Sequence, residues 1–303
     1  MYSYLLLEAK LKVLGTNKSG LTKKLAISSR TIAKMSKGEK IAGHVLARIA
    51  AFLQCAPEDL YRCVCENQIL QTLRDEKDAK ISWGLYHELQ VRMAYNSNRI
   101  EGSVLNEEQT RSIFDTRTID AGDGLPIDDI IETSNHFRAF DEVIDHALDP
   151  LSEEEIKRIH FLLKQGTKDA SLGWFQIDDY KTRPNVVGGK STCEPSSVPE
   201  AMAELIAKYR SKKSIAIEDI IEFHADFEAI HPFQDGNGRV GRLIALKECL
   251  RNGIVPFIIE DSKKAFYYRG LANWKREKGW LIGTCLDGQN TFKALLKTFG
   301  IAK

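Results

Sequence analysis

Apolar residues recur at steps of three and four along most of this 303-residue chain, the spacing of one buried helix face. Leu21 and Leu25 are followed by Ile32 and Met35, while Ile130, Ile131 and the run from His136 to Val143 keep the same rhythm. Farther on, Ile217, Ile220 and Ile221 lead into Phe223, Phe227 and Ile230. The pattern predicts a mainly α protein. Residues 173–189 depart from it. There the segments 174–177 and 180–187 are rich in aromatic and β-branched residues and are separated by Asp178-Asp179, which predicts a short β-hairpin. The chain carries no internal repeat and no low-complexity tract.

The length suits about two domains. With 43% hydrophobic and 28% charged residues the composition is that of a soluble globular protein, and no apolar run approaches the roughly 18 residues needed to cross a bilayer. The opening Met1-Tyr-Ser-Tyr-Leu-Leu-Leu-Glu8 lacks a basic leader, so a cytoplasmic protein without membrane contact is expected. Six cysteines include one close pair, Cys63-Val-Cys65, with no second pair or histidine to complete a zinc site, and free thiols are expected. Charge divides the chain: residues 1–62 hold 11 Lys and Arg against 4 acids, the remainder 32 against 38. The two parts should therefore meet different partners. The charged run Arg74-Asp-Glu-Lys-Asp-Ala-Lys80 marks the boundary, giving a first domain over 1–65, a charged linker or solvated helix over 66–86, and a second domain over 87–303.

Residues 21–37 read as a short helix, a tight turn and a second helix capped by Ser28 and ended by Gly38, with Leu21, Leu25, Ile32 and Met35 as the shared apolar face. On the outer face Ser29, Arg30, Thr31 and Lys34 suit base edges and phosphates in a major groove, and Lys37 and Lys40 suit the backbone. Extended to Leu60 through Val45-Leu46, Ile49-Ala50 and Phe52-Leu53, the segment resembles the Cro/repressor-type helix-turn-helix family. The resemblance implies DNA as a partner through residues 1–62. A reader of palindromic half-sites works in pairs, so a homodimer or DNA-driven pairing is expected with it. A small basic bundle that docks on the second domain is the alternative.

The densest chemistry is His231-Pro-Phe-Gln-Asp-Gly-Asn-Gly-Arg-Val-Gly-Arg242, between a helix ending near Ile230 and another over about 239–250. Gly236 and Gly238 let the backbone curl so that successive N–H groups face one anion at a helix start. Arg239 and Arg242 add two positive charges suited to polyphosphate oxygens, and Asp235 is placed to hold a Mg²⁺ bridging those phosphates. Asn237 offers an amide donor. His231 is the candidate general base. Gly236-x-Gly238-x-x-Gly241 also spells the dinucleotide fingerprint, but that motif needs a preceding strand, and 217–230 has helical spacing. A plain helix cap with a structural histidine is the alternative for the same residues.

This string is similar to the signature of the Fic family, His-Pro-Phe-x-Asp/Glu-Gly-Asn-Gly-Arg-x-x-Arg, and matches it at every fixed position. The similarity extends over roughly residues 85–300. It implies a Fic-type helical core with a small β-hairpin flap, preceded here by the helix-turn-helix domain, and transfer of AMP from ATP to a Ser, Thr or Tyr hydroxyl of a target protein, which could be the chain itself. By the resemblance His231 takes the hydroxyl proton and Asp235 binds Mg²⁺. Gly236, Asn237, Gly238 and Gly241 belong to the phosphate cradle, with Arg239 and Arg242 on the rest of the triphosphate. Gly238 stands where phosphorylating relatives carry lysine, which favours AMP transfer. Tyr267 and Tyr268 resemble the family's adenine-side aromatics, though two tyrosines on a helix equally suit a core. Val186, Val187 and Gly188 fall in the flap, which aligns a target segment as an added strand. Where the family has Gly-x-aromatic-Arg at the flap's first turn, this chain has Asp178-Asp-Tyr-Lys181.

Ser97 and Glu101 stand four apart on one helix face, with Gly102 as terminator. Beside the Fic signature they match that family's inhibitory motif, on a helix near 88–102. The implied device is Glu101 pairing with Arg242 and keeping ATP unproductive. Removal of AMP is equally compatible with these residues, as is a transcription regulator that uses the fold to sense nucleotide. A metal hydrolase built on His224, Asp226, His231 and Asp235 would leave the glycine–arginine run without a role.

Overall fold

A computed structural model describes residues 2–37, 39–63, 67–120 and 124–301. Gly38, expected to end the second helix, and Cys65 lie outside the described residues. The chain divides into two compact units, Met1–Glu66 and Asn67–Lys303.

The first unit holds α1 (Leu5–Val13), α2 (Gly20–Leu25), α3 (Ser29–Ser36) and α4 (Gly43–Leu53), closed by an antiparallel pair of β1 (Tyr2–Ser3) and β2 (Arg62–Cys63). Its core is Leu7, Leu11, Leu21, Ile27, Met35, Leu46 and Ile49, with Leu25, Ile32, Val45, Phe52 and Leu53 packed around it. The tight turn between α2 and α3 uses Ala26 in the left-handed region (φ 49°), after which Ser28 caps α3 by accepting from the Thr31 N–H at 3.2 Å.

The second unit holds α5 (Gln68–Ala79), α6 (Leu85–Ile100), α7 (Glu107–Thr116), α8 (Ile127–Asp145), α9 (Glu153–Lys164), α10 (Val198–Arg210), α11 (Ile217–Ile230), α12 (Asn237–Arg251), α13 (Lys264–Ala272) and α14 (Gly279–Thr298). The segment expected as a linker or solvated helix is α5, an integral part of this unit. Apart from Arg74, its charges lie toward the more exposed side. On the other, Leu70 and Leu73 are fully buried, and the Arg74 guanidinium donates to the carbonyls of Ile144 (2.9 Å) and Asp145 (2.8 Å).

At the centre lies α12, buried on every side from Asn237 to Leu250. Such a helix reads as apolar all round, yet this one carries Arg239, Arg242, Lys247 and Glu248. Buried charges persist only when paired. Lys247 accordingly meets Glu155 at 3.3 Å and Glu248 at 3.2 Å, while the two arginines find carboxylates at the opposite end of the helix. No helix among the described residues is long and apolar enough to cross a membrane.

The hairpin is displaced from its expected position. Residues 174–185 form no strand. The paired strands are β3 (Val186–Val187) and β4 (Lys190–Ser191), joined by Gly188 and Gly189 with φ of 57° and 78°. Positive φ at both central residues is what a two-residue hairpin loop demands, and glycine supplies it without strain. Asp178-Asp179 is no turn between strands. Asp179 pairs with Lys157 at 2.7 Å, and the Tyr180 hydroxyl donates to Glu153 at 2.9 Å, fastening the segment to α9.

Candidate active site

Helix α11 stops at His231, whose backbone is left-handed (φ 54°) and whose N–H donates to Phe227 O at 2.9 Å. The loop that follows is closed by Asn237: its Oδ1 accepts from Phe233 N and its Nδ2 donates to Phe233 O, both at 2.8 Å. Asn237 is thus a structural clasp within the expected phosphate cradle. Gly236, with φ 82°, turns the chain into α12, and the first N–H to bond back is that of Val240, on Gly236 O at 3.0 Å. The amides before it open the helix without intrahelical acceptors, an anion site in waiting. The preceding element is a helix, so the dinucleotide-fingerprint context is absent. Gly241 faces α11 instead of the cradle: a Cβ there would lie 2.8 Å from His224 Nδ1 and 3.0 Å from Glu228 Oε1.

Beside the cradle four charges close a ring. Lys164, at the end of α9 and 2% exposed, donates to Glu132 Oε1 at 2.5 Å and Asp235 Oδ2 at 2.7 Å. Arg239 binds the same two carboxylates, Glu132 Oε2 and, at 3.1 Å, Asp235 Oδ2. Burial alone would raise the Asp235 carboxyl, but Arg239 and Lys164 overrule it and hold the group well below the ordinary range. Asp235 is therefore a permanent carboxylate with its side chain half-exposed. One such oxygen donor beside a phosphate cradle fits Mg²⁺, which keeps most of its waters and shares few protein ligands with substrate phosphates. Among the described residues no cluster of three His, Cys, Asp or Glu could hold a metal without phosphate help. His224 and Asp226 are spoken for elsewhere: His224 Nε2 lies 2.7 Å from the Tyr267 hydroxyl, and Asp226 accepts from Lys208 at 3.3 Å.

Over the cradle sits Glu101, the C-cap of α6. Its Oε1 accepts from Arg242 Nη2 at 2.7 Å, and a Cβ added at Gly238 would collide with that same oxygen. Ser97, one turn earlier, takes the rest of the guanidinium: Oγ accepts from Nε at 2.9 Å and the carbonyl from Nη2 at 3.0 Å. Ser97, Glu101, Gly238 and Arg242 thus meet at one point. Although burial disfavours the Arg242 charge, Glu101 more than restores it. Tyr267 backs the arginine from below. It is 1% exposed, with its hydroxyl 3.4 Å from Arg242 Nη1, so it has no face to offer an adenine. Tyr268 is 41% exposed and donates to Ile100 O at 2.9 Å, and remains the one of the pair that a base can reach. Glu228, unsingled by sequence, is pushed up to about 8 by burial and by Glu101.

Burial, and next the charge of Lys181, lower His231 to about 4, so at neutral pH its imidazole is uncharged and ready to accept a proton. His136 and His224 are lowered to about 3, by burial first and then by Arg242. For all three the folded state refuses a proton that the unfolded chain accepts below about 6.5. Their contribution is complete above that pH and is lost as pH falls toward 4. Glu228 opposes them, because its raised carboxyl favours the fold at low pH and loses that benefit as pH rises toward 8. His160, lowered to about 4 chiefly by burial, acts in the same direction, and the four histidines outweigh Glu228. Urea midpoints are expected to fall between pH 6.5 and 4.5, and a flat profile would contradict neutral histidines.

In the first unit Ser29 and Arg30 at the start of α3 are exposed. Thr31 is half-buried and its hydroxyl shares a 2.9 Å hydrogen bond with Ser28, which makes it part of the cap as much as of any surface. Lys34 is half-buried.

Two stretches match known families. Residues 150–249 match the sequence model of the Fic/DOC family. The chain carries a Fic domain. Residues 9–66 match the Cro/C1-type HTH DNA-binding domain. The Fic part is similar to the protein adenylyltransferase Fic of Aedes aegypti, 28% identical over 60% of this chain and 36% of that protein. The protein of the same name from Drosophila persimilis is 31% identical over 58% of this chain and 34% of its own length. The chain thus spans about a third of the length of these curated relatives. A solved Fic domain-containing signalling protein from Bacteroides thetaiotaomicron shares the fold, with a TM-score of 0.58 at 24% identity over 76% of this chain and 87% of that one. Lys164 and Glu132 were not singled out from sequence, and Lys181 was noted only as part of the departure from the family's flap pattern. They come to the Fic loop from α9, α8 and the segment before the hairpin.

Proposed function

We propose that this chain is an autoinhibited protein adenylyltransferase, moving AMP from ATP to a Ser, Thr or Tyr hydroxyl of a target protein, with a DNA-binding first unit. The observation that carries the reading is the Glu101 carboxylate on Arg242 over Gly238, an internal anion seated where a polyphosphate would lie.

In the reaction the α- and β-phosphates take the amides at the start of α12. His231 accepts the hydroxyl proton while the oxygen attacks the α-phosphorus in line. A new P–O bond forms, the α–β bridging P–O bond breaks, and pyrophosphate leaves. Arg239 and Arg242 offset the charge on the leaving group. Asp235 would hold Mg²⁺, which when bound neutralises the phosphates. With Glu101 in place, Arg242 and the Gly238 cradle are unavailable, and the resting protein is off.

The test is incubation of wild type, Glu101→Gly and His231→Ala with Mg²⁺ and labelled ATP, followed by intact mass and labelling of a cell lysate. One AMP mass gained by Glu101→Gly alone supports transfer and brake together. Tight ATP binding without label in any variant would favour a nucleotide-sensing regulator instead.

For the first unit, the excess of basic residues and the exposed Arg30 at the start of α3 support DNA contact. Arg30→Ala in the full chain is expected to weaken DNA binding by about 1–3 kcal/mol if it reads a base edge. Fluorescence anisotropy at two salt concentrations checks this. Affinity unchanged by both salt and substitution would remove the DNA reading.

A further inference from the structure

Lys181 stands at one of the two flap positions where this chain departs from the family pattern, the other being Asp178, and the structure shows Lys181 buried, 3% exposed. Its ammonium donates to Asn185 Oδ1 at 2.8 Å and Thr192 Oγ1 at 2.6 Å. Asn185 immediately precedes β3 and Thr192 immediately follows β4, so one cation holds both feet of the hairpin. Thr192 N also donates to Asn185 O at 3.3 Å.

The same residues are fastened to the catalytic loop. Lys181 N donates to Pro232 O at 2.9 Å, and Asn185 Nδ2 to Phe233 O at 3.2 Å, the two residues that follow His231. Tyr180 adds an aromatic contact, its ring centroid 5.7 Å from that of Phe233. Among the described residues no carboxylate makes an ion pair with Lys181. Two neutral oxygens carry its charge, an arrangement that costs stability relative to an ion pair. The outer part of the hairpin has no such ties: Val186 is 65% and Val187 47% exposed, on a two-stranded sheet with free edges.

We propose that Lys181 is a positioning residue of the transfer reaction, clamping both feet of the flap to the loop that carries His231 so that a target segment added to the hairpin meets the base in register. The inference rests on the adenylyltransferase reading. A strand docked on β3 gains its register from the backbone, and that register is useful only if the hairpin is fixed relative to His231. The nearby ammonium also helps keep the imidazole unprotonated.

The experiment uses the full chain in the Glu101→Gly background and compares Lys181, Lys181→Met and Lys181→Arg. Amide hydrogen exchange over residues 186–192 is expected to speed up about tenfold in Lys181→Met and to return toward the parent in Lys181→Arg. The His231 imidazole, followed by NMR of histidine-labelled protein, is expected to titrate at higher pH in Lys181→Met. Self-labelling from ATP is expected to drop about tenfold while ATP affinity stays within about twofold. Should Lys181→Met fail to fold, Thr192→Val removes one foot and leaves the charge, and predicts faster exchange without a shifted imidazole. Unchanged exchange and unchanged titration overturn the inference. Absence of label in the Glu101→Gly parent overturns the adenylyltransferase reading instead, and exchange and titration still decide the role of Lys181.

Discussion

Replacing Glu101 by glycine is expected to raise AMP transfer by about 10- to 100-fold over wild type, the factor that corresponds to losing one charge-assisted hydrogen bond of about 1.5–3 kcal/mol. The carboxylate does two things at once. It satisfies the buried Arg242 guanidinium at 2.7 Å, and its oxygen fills the space over Gly238. Removing it opens the cradle and leaves Arg242 in need of an anion, which a triphosphate supplies. Arg242 keeps its bonds to Ser97 Oγ and O, so the substitution should not unravel the helix contact. Glycine at the C-cap of α6 is also well tolerated by the backbone. Initial rates of label incorporation at saturating ATP and Mg²⁺ measure the effect. Equal rates for the two proteins across a range of nucleotide and metal would sink the brake.

Loss of His231 is expected to cost about 10²- to 10⁴-fold in transfer, the usual weight of a general base, with ATP affinity little changed because the phosphate cradle is backbone. Alanine is a flawed probe at this position. The residue has φ of 54°, where alanine is strained by roughly 1–2 kcal/mol, whereas asparagine enters that region readily. His231→Asn therefore separates chemistry from backbone strain. If the His231→Asn variant, measured in the Glu101→Gly background, kept more than about a tenth of the parent rate, His231 would not be the base.

Much of the helical architecture was legible because apolar residues at steps of three and four leave few alternatives. The 231–242 cluster was legible as a helix-start anion cradle because its glycines lie close together in the chain, but the clasp of Asn237, the packing of Gly241 on α11 and the carboxylate partners of the arginines were not. Glu101 was found only through the motif it shares with Ser97. Lys164 and Glu132 were not found, since on the amphipathic helices α9 and α8 a lysine and a glutamate look like any solvated pair. Only the packing of those helices against α12 turns them inward onto Asp235 and Arg239. The hairpin failed differently. Trp174, Phe175, Ile177 and Tyr180 have strand-forming side chains, but tertiary bonds to α9 claim the segment, and the stronger turn signal was Gly188-Gly189. Tyr267 resembled the family's adenine-side aromatics and equally suited a core, and of the two it is the core reading that holds, as the floor under Arg242.

Glu101 is carried by the same folded unit as Arg242, so on the proposed reading the inhibitor would be present at one copy per site from the moment the chain folds, and dilution would not remove it. A tethered group of this kind acts as though present at an effective concentration of millimolar or more. On that reading ATP would have to outcompete it from solution, and occupancy of the productive pose would be set by a contest between a fixed internal ligand and a fluctuating external one. Anything that frays the last turn of α6, where Glu101 is the cap, lowers the internal concentration directly. The stability of a single helix end would thereby become the dial on the rate of the proposed reaction.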